Sequence, residues 1–211
     1  MKEQKRVKKI IEILKKDYPN AKCTLYFKNP LELLFATILS AQCTDQRVNI
    51  VTKSLFKKYK NVHDYANAPL EQLEKDIRST GFYKNKAKAI KFSAQTIIKE
   101  FNGKVPDTME SLLKLRGVAR KTANVVLGNA YGIVSGIVVD THVTRLCQRL
   151  SFTKNKEAKK IEQDLIKLIS RKDWILFSHL LIAHGRAICN ARNPKCGACH
   201  LNKICPSAFK F

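Results

Sequence analysis

Cys189, Cys196, Cys199 and Cys205 crowd into 17 residues with the spacing C-x6-C-x2-C-x5-C. Four thiols this close together can oxidise in pairs, wrap around one metal centre or hold no metal at all. The chain has seven cysteines, an odd number, and its basic start, MKEQKRVKKI, is not followed by the apolar segment of a secretory signal. The expectation is therefore a reducing compartment without a disulfide framework. Thiolates suit tetrahedral zinc or an iron–sulfur cluster. Zinc sites more often pair two C-x2-C knuckles, and only Cys196 and Cys199 stand that close; the six- and five-residue loops leave room for a larger cubane. Spacing alone leaves both open. Cys23, Cys43 and Cys147 are scattered and read as small buried apolar residues.

Charge narrows the partner. Lys and Arg number 40 against 17 Asp and Glu, a net charge of +23 over 211 residues. Such an excess suits a polyanion, nucleic acid first, although a general drift toward lysine would give the same sum. The length allows one or two domains, and 45% hydrophobic residues with few Gly and Pro exclude a disordered or fibrous chain. Thr122–Val139 carries no charge, but Asn124, Asn129, Ser135 and three glycines make it too polar for a membrane span, so a soluble protein is expected.

Apolar periodicity predicts helix almost throughout: residues 5–17, 30–42, 45–60, 69–79, 85–101, 108–115, 119–130, 141–150, 156–170 and 173–188. Pro30 and Pro69 open two of these, Asn102-Gly103 closes one, and Asp107 with Glu110 reads as a capping box. Residues 133–139 fit either a short strand or an extended loop. The fold class is all-α.

Between two of the helices lies Leu115-Arg116-Gly117-Val118-Ala119-Arg120-Lys121-Thr122. A short glycine turn entering a helix exposes backbone N–H groups at the positive end of a helix dipole, which grips a phosphate without reading sequence; an ordinary helix–helix turn is the alternative. Lys121 falls in the first helical turn. The helix start, desolvation and the neighbouring cations Arg116 and Arg120 would favour its neutral amine, the nucleophilic form. Asp140 reads as the N-cap of the helix from 141, and a carboxylate so fixed can also stabilise a developing cation in a cleft.

LRGVARKTANVV, VVDTH and the four-cysteine segment, in that order, closely resemble the endonuclease III family of DNA glycosylases within the helix–hairpin–helix superfamily. LSAQCTD at 39–45, GFYKNKAKAI at 81–90 and HGRAIC at 184–189 are also similar to that family. The resemblance implies two helical domains flanking a DNA-binding cleft. One is a six-helix barrel at 23–135 with its hairpin at 115–122; the other, 1–22 plus 136–211, carries a [4Fe-4S] cluster held by Cys189, Cys196, Cys199 and Cys205. It further implies base excision of oxidised pyrimidines from damaged double-stranded DNA. Lys121 is then the nucleophile, leaving a Schiff base and a β-elimination at the abasic site, with Asp140 assisting. Gln42 corresponds to the residue that fills the hole left by the flipped nucleotide, and Phe82 to a wedge, a plain core aromatic being its alternative. Gly117, Val118, Ala119, Arg120 and Thr122 correspond to DNA-binding positions, and Asp45 and His142 to positions near the cleft. A monomer acting on DNA in the cytoplasm, without an obligate protein partner, is expected.

The hairpin departs from the family's usual L-P-G-V-G at two places. Arg116 replaces a proline, losing rigidity while adding a candidate phosphate contact. Ala119 replaces a glycine, and a negative φ is predicted there. Two other functions compete. An adenine-mismatch glycosylase shares the cluster but usually lacks a lysine at the position of Lys121 and carries a further C-terminal domain, whereas six residues follow Cys205. A non-catalytic cluster-bearing DNA-binding protein needs neither the amine nor the carboxylate.

Overall fold

The computed structural model describes residues 2–210. In chain order the helices are α1 (Lys2–Asp17), α2 (Pro30–Leu39), α3 (Asp45–Lys58), α4 (Val62–Asn67), α5 (Leu70–Ile77), α6 (Tyr83–Phe101), α7 (Met109–Leu113), α8 (Arg120–Ala130), α9 (Thr141–Arg149), α10 (Ala158–Leu168) and α11 (Trp174–Ala187). Short 3-10 turns supplement them, and the described residues contain no strand. The ambiguous 133–139 segment is an extended loop between α8 and α9. No helix among the described residues is long and apolar enough to cross a membrane.

The chain divides into two compact units. Cys23–Ser135 forms one; the segments up to Lys22 and from Gly136 pack together as the other. Each has its own apolar core. In the first, α2 is apolar apart from Glu32 and Thr37, and Leu33, Leu34, Phe35 and Ala36 are completely buried, as a central helix requires. α8 lies against it, and α6 packs on α2, α4 and α5. In the second, Val7, Ile10, Ile11 and Leu14 form the buried stripe of α1, which packs against α11; α9 packs against α11 and α10.

The helix ends follow local chemistry. Asn29 caps α2 by accepting the Glu32 N–H at 2.9 Å, with Pro30 in the first turn. Thr44 caps α3, with Asp45 in its first turn. Asn102 ends α6 in the left-handed region, and the Gly103 N–H reaches back to the Ile97 carbonyl at 3.0 Å. The capping box expected at Asp107 and Glu110 is not formed. Thr108 caps α7 instead, accepting the Ser111 N–H at 3.2 Å, because its hydroxyl stands three residues from that donor. A reciprocal box does occur where none was predicted, between Asn61 and Asp64 at the head of α4. That helix escapes a periodicity search because its six residues fall short of two turns.

Tyr65 stacks edge-on against Phe35, with centroids 4.6 Å apart, and is 1% exposed. Its hydroxyl has no hydrogen-bond partner. An unpaired buried hydroxyl costs stability that a matching apolar group would not. Tyr65→Phe is expected to raise the unfolding free energy by about 1 kcal/mol in a denaturant titration; a loss of similar size would show that the hydroxyl is satisfied in solution.

Candidate functional site

In the Cys23–Ser135 unit the chain leaves α7 and turns sharply. The Val118 N–H donates to the Leu115 carbonyl at 3.2 Å. Gly117 takes φ 78, the left-handed value that the third position of a type II turn demands. It also approaches α6 so closely that a Cβ would stand 2.8 Å from the Ala89 Cβ. Four residues along α6, the Ser93 Oγ donates to the Arg116 carbonyl at 2.8 Å. The hairpin is therefore fixed to α6 through its backbone. The Arg116 guanidinium lies 4.7 Å from the centroid of the Phe92 ring. This cation–π contact within the unit supplies some of the stiffness a proline would have given, while Arg116 stays exposed.

Ala119 has φ −94 and ψ 170, the negative φ predicted, and it is the N-cap of α8. A methyl group cannot accept a hydrogen bond, so α8 starts without a side-chain cap. The amides of its first turn have no intrahelical acceptor and sit at the positive end of the helix dipole, where an anion can satisfy them. Val118 is buried, so only its backbone can meet a ligand; Arg120 and Lys121 are exposed and Thr122 is half-buried. The desolvation expected at Lys121 is not supplied here, since its side chain is exposed.

Two more exposed residues of this unit, Gln42 and Phe82, both have left-handed backbones, with φ 52 and φ 49. That conformation costs an L-residue about 1–2 kcal/mol, so the surrounding turns must hold it. Phe82 is 64% exposed, which removes the core-aromatic reading. The two turns meet at a residue the sequence did not single out. Lys86, in the first turn of α6, donates its Nζ to the Leu39 carbonyl and to the Thr80 carbonyl, each at 2.8 Å. Asp45 accepts the Thr24 hydroxyl.

Asp140 and the four clustered cysteines belong to the other unit. Asp140 is the N-cap of α9, its Oδ1 accepting the Val143 N–H at 2.8 Å; this carboxylate is half-buried. The same helix grips the first cysteine loop. Arg145 Nη2 donates to the Gly185 and Cys189 carbonyls at 3.2 and 3.0 Å, and lies 3.3 Å from His142 Nδ1. Arg149 donates to the Asn190 and Ala191 carbonyls and to the Cys189 Sγ, the last at 3.2 Å. A Cβ on Gly185 would stand 2.9 Å from His142 Nδ1 and 3.0 Å from Arg145 Nη2, so the glycine of HGRAIC lets α11 approach α9.

Cys189, Cys196, Cys199 and Cys205 line one cavity together with apolar Leu146, Leu150, Ile188 and Leu201. All seven cysteines are free thiols. Burial pushes the Cys199 and Cys205 thiols up, and the neighbouring thiols push them further. Among the described residues no three His, Cys, Asp or Glu side chains converge on a single-ion site. His184 bridges Tyr18 and Cys199, with Nδ1 3.0 Å from the Tyr18 hydroxyl and Nε2 3.4 Å from the Cys199 Sγ. Burial holds its pKa down at about 4, so the ring is neutral at pH 7; the tautomer protonated on Nε2 satisfies both contacts.

A family model described as "HhH-GPD superfamily base excision DNA repair protein" matches residues 35–171. An Endonuclease III from Synechocystis sp. is 53% identical over 206 residues, covering 98% of this chain and 94% of that one. A solved non-covalent endonuclease III–DNA complex superposes with a TM-score of 0.93 at 44% identity, covering 98% of this chain and 97% of that one. A trapped endonuclease III–DNA covalent intermediate gives the same score, identity and coverage.

Gly117→Ala forces a left-handed alanine against Ala89. The expected loss is about 2 kcal/mol or more of unfolding free energy, measured by denaturant titration; an unchanged midpoint would mean that the hairpin is not pinned to α6.

Proposed function

The chain belongs to the endonuclease III family of the HhH-GPD superfamily, and on that premise we propose that Lys121 and Asp140 carry out its base-excision chemistry. The protein is a DNA glycosylase and abasic-site lyase acting on oxidised pyrimidines in duplex DNA. The Lys121 Nζ attacks the deoxyribose C1′ of a flipped nucleotide, forming a C–N bond as the glycosidic bond breaks and its electron pair leaves with the base. Opening of the sugar ring converts this adduct to a Schiff base. Loss of a C2′ proton then expels the 3′ phosphate by cleaving the C3′–O bond. Asp140 stabilises the cationic sugar and takes part in proton transfer.

The observation that carries this reading is the uncapped start of α8. It aims a row of backbone N–H groups at a phosphate and sets the exposed Lys121 amine one residue into the same helix. The net charge of +23 draws in the polyanion. Gln42 and Phe82 are assigned to the gap in the stack, since both are exposed on turns held in a strained geometry.

The four-cysteine cavity is assigned a [4Fe-4S] cluster. Tetrahedral zinc would need its sulfurs at about 2.3 Å from one point, whereas these thiols line a shared cavity, which suits one thiolate on each iron of a cubane. When bound, such a cluster supplies four iron–thiolate bonds that cross-link the C-terminal loop. Arg186, exposed in the last turn of α11, and Arg192, Lys195 and Lys203, exposed along that loop, then face phosphates from a fixed frame. One amine and one carboxylate complete the reaction, so a monomer suffices, and thiolate ligation of a cluster suits the reducing cytoplasm.

Borohydride trapping on DNA carrying an abasic site should give a covalent adduct with the wild type and none with Lys121→Ala. Asp140→Asn keeps the helix cap, because asparagine caps as well as aspartate. It should leave DNA affinity within about twofold while lowering turnover by about a hundredfold or more. Equal losses in both would reduce Asp140 to a capping residue.

Protein purified without oxygen should show visible absorption, iron and acid-labile sulfide, all lost in Cys196→Ala. A colourless protein binding zinc would overturn the cluster assignment.

A further inference from the structure

Lys86 is 5% exposed, on a helix whose neighbouring lysines Lys84 and Lys88 reach solvent. Burying an ammonium is costly, and a leucine or methionine would fill the same space without that cost. Its acceptors are main-chain carbonyls rather than a carboxylate: Leu39, the last residue of α2, and Thr80, at the end of the 3-10 turn after α5. The Leu39 carbonyl lies at the negative end of the α2 dipole, which favours a cation there. Burial pulls the ammonium's pKa down, and a nearby Cys43 thiolate would oppose this.

What the two carbonyls have in common is where they stand in the chain. Leu39 is three residues before Gln42, and Thr80 is two before Phe82. One nitrogen therefore ties together the two turns that carry exposed side chains on left-handed backbones. The remaining bonds within each turn are local: Cys43 N–H to the Ser40 carbonyl in one, Gly81 N–H to the Arg78 carbonyl in the other. Those bonds shape each turn but do not set one against the other.

We propose that Lys86 is a positioning residue that clamps the Gln42 and Phe82 turns into one unit, so that both side chains enter the base stack in register when the damaged nucleotide leaves it. This inference rests on the base-excision reading above. The clamp serves extrusion and hole filling, and not bond making at C1′. Its loss therefore affects duplex substrates, where a base must be driven out of a stack, and spares an abasic deoxyribose that is already unstacked.

The test compares wild type with Lys86→Met, which keeps the buried stem and removes both hydrogen bonds. Excision from a duplex with one oxidised pyrimidine should fall by about tenfold or more. Borohydride trapping on a single-stranded abasic oligonucleotide should stay within about twofold. A 2-aminopurine beside the lesion should lose most of its fluorescence rise on binding. Should Lys86→Met fail to fold, Lys86→Gln, long enough for only one carbonyl, carries the same comparison. Parallel loss on both substrates, or no loss on either, overturns the clamp while leaving the base-excision reading in place. A wild type that traps neither substrate overturns that reading, and the clamp with it.

Discussion

The close approach of Gly117 to Ala89 decides where the hairpin stands, and with it where the amides and the amine at the start of α8 are aimed. Ala89 does not act alone. Lys86, Ala89 and Ser93 follow one another along α6 at helical spacing, so they share a face. Lys86 holds the turns around Gln42 and Phe82, Ala89 receives Gly117, and Ser93 binds the carbonyl of Arg116. One rigid helix thus sets the register of three separate loops. α6 is itself buried against α2, α4 and α5, so moving any one of these loops means disturbing the core of the unit.

α9 plays the corresponding part in the other unit. Asp140 caps its start, and Arg145 and Arg149, one turn apart further along it, bind carbonyls on both sides of Cys189 through their guanidinium groups. The carboxylate and the thiol loop are therefore mounted on one short helix. Gly185 permits this, because any side chain there would meet His142 and Arg145. A strain in the cysteine loop would be passed to the Asp140 cap through a chain of hydrogen bonds only one helix long.

Much of this was legible in the sequence, for reasons that can be named. Apolar spacing fixed α1, since Val7, Ile10, Ile11 and Leu14 fall on one face and all are buried. Pro30 and Asn102-Gly103 marked ends that the structure has. Ala119 could be assigned a negative φ because an alanine closing the turn strains only in the left-handed region. What escaped depended on contacts distant in the chain. Lys86 reads as a surface lysine because its burial is bought by carbonyls, one of them 47 residues away, that no local pattern reveals. The contact of Arg116 with Phe92, 24 residues earlier, is likewise invisible to any local pattern. Thr108 and Asp107 are both good caps, and only the direction of the hydroxyl separates them.

The division into units has a bearing on biosynthesis. Cys23–Ser135 is one continuous stretch, whereas α1 has its packing partner in α11. At ribosomal speeds of about 5–20 residues per second, α11 follows α1 by roughly ten to thirty seconds. During that interval the intervening unit can already condense, while the apolar stripe of α1 has nothing to cover it. Until α11 emerges, the nascent chain thus carries an amphipathic helix whose apolar stripe lacks that partner.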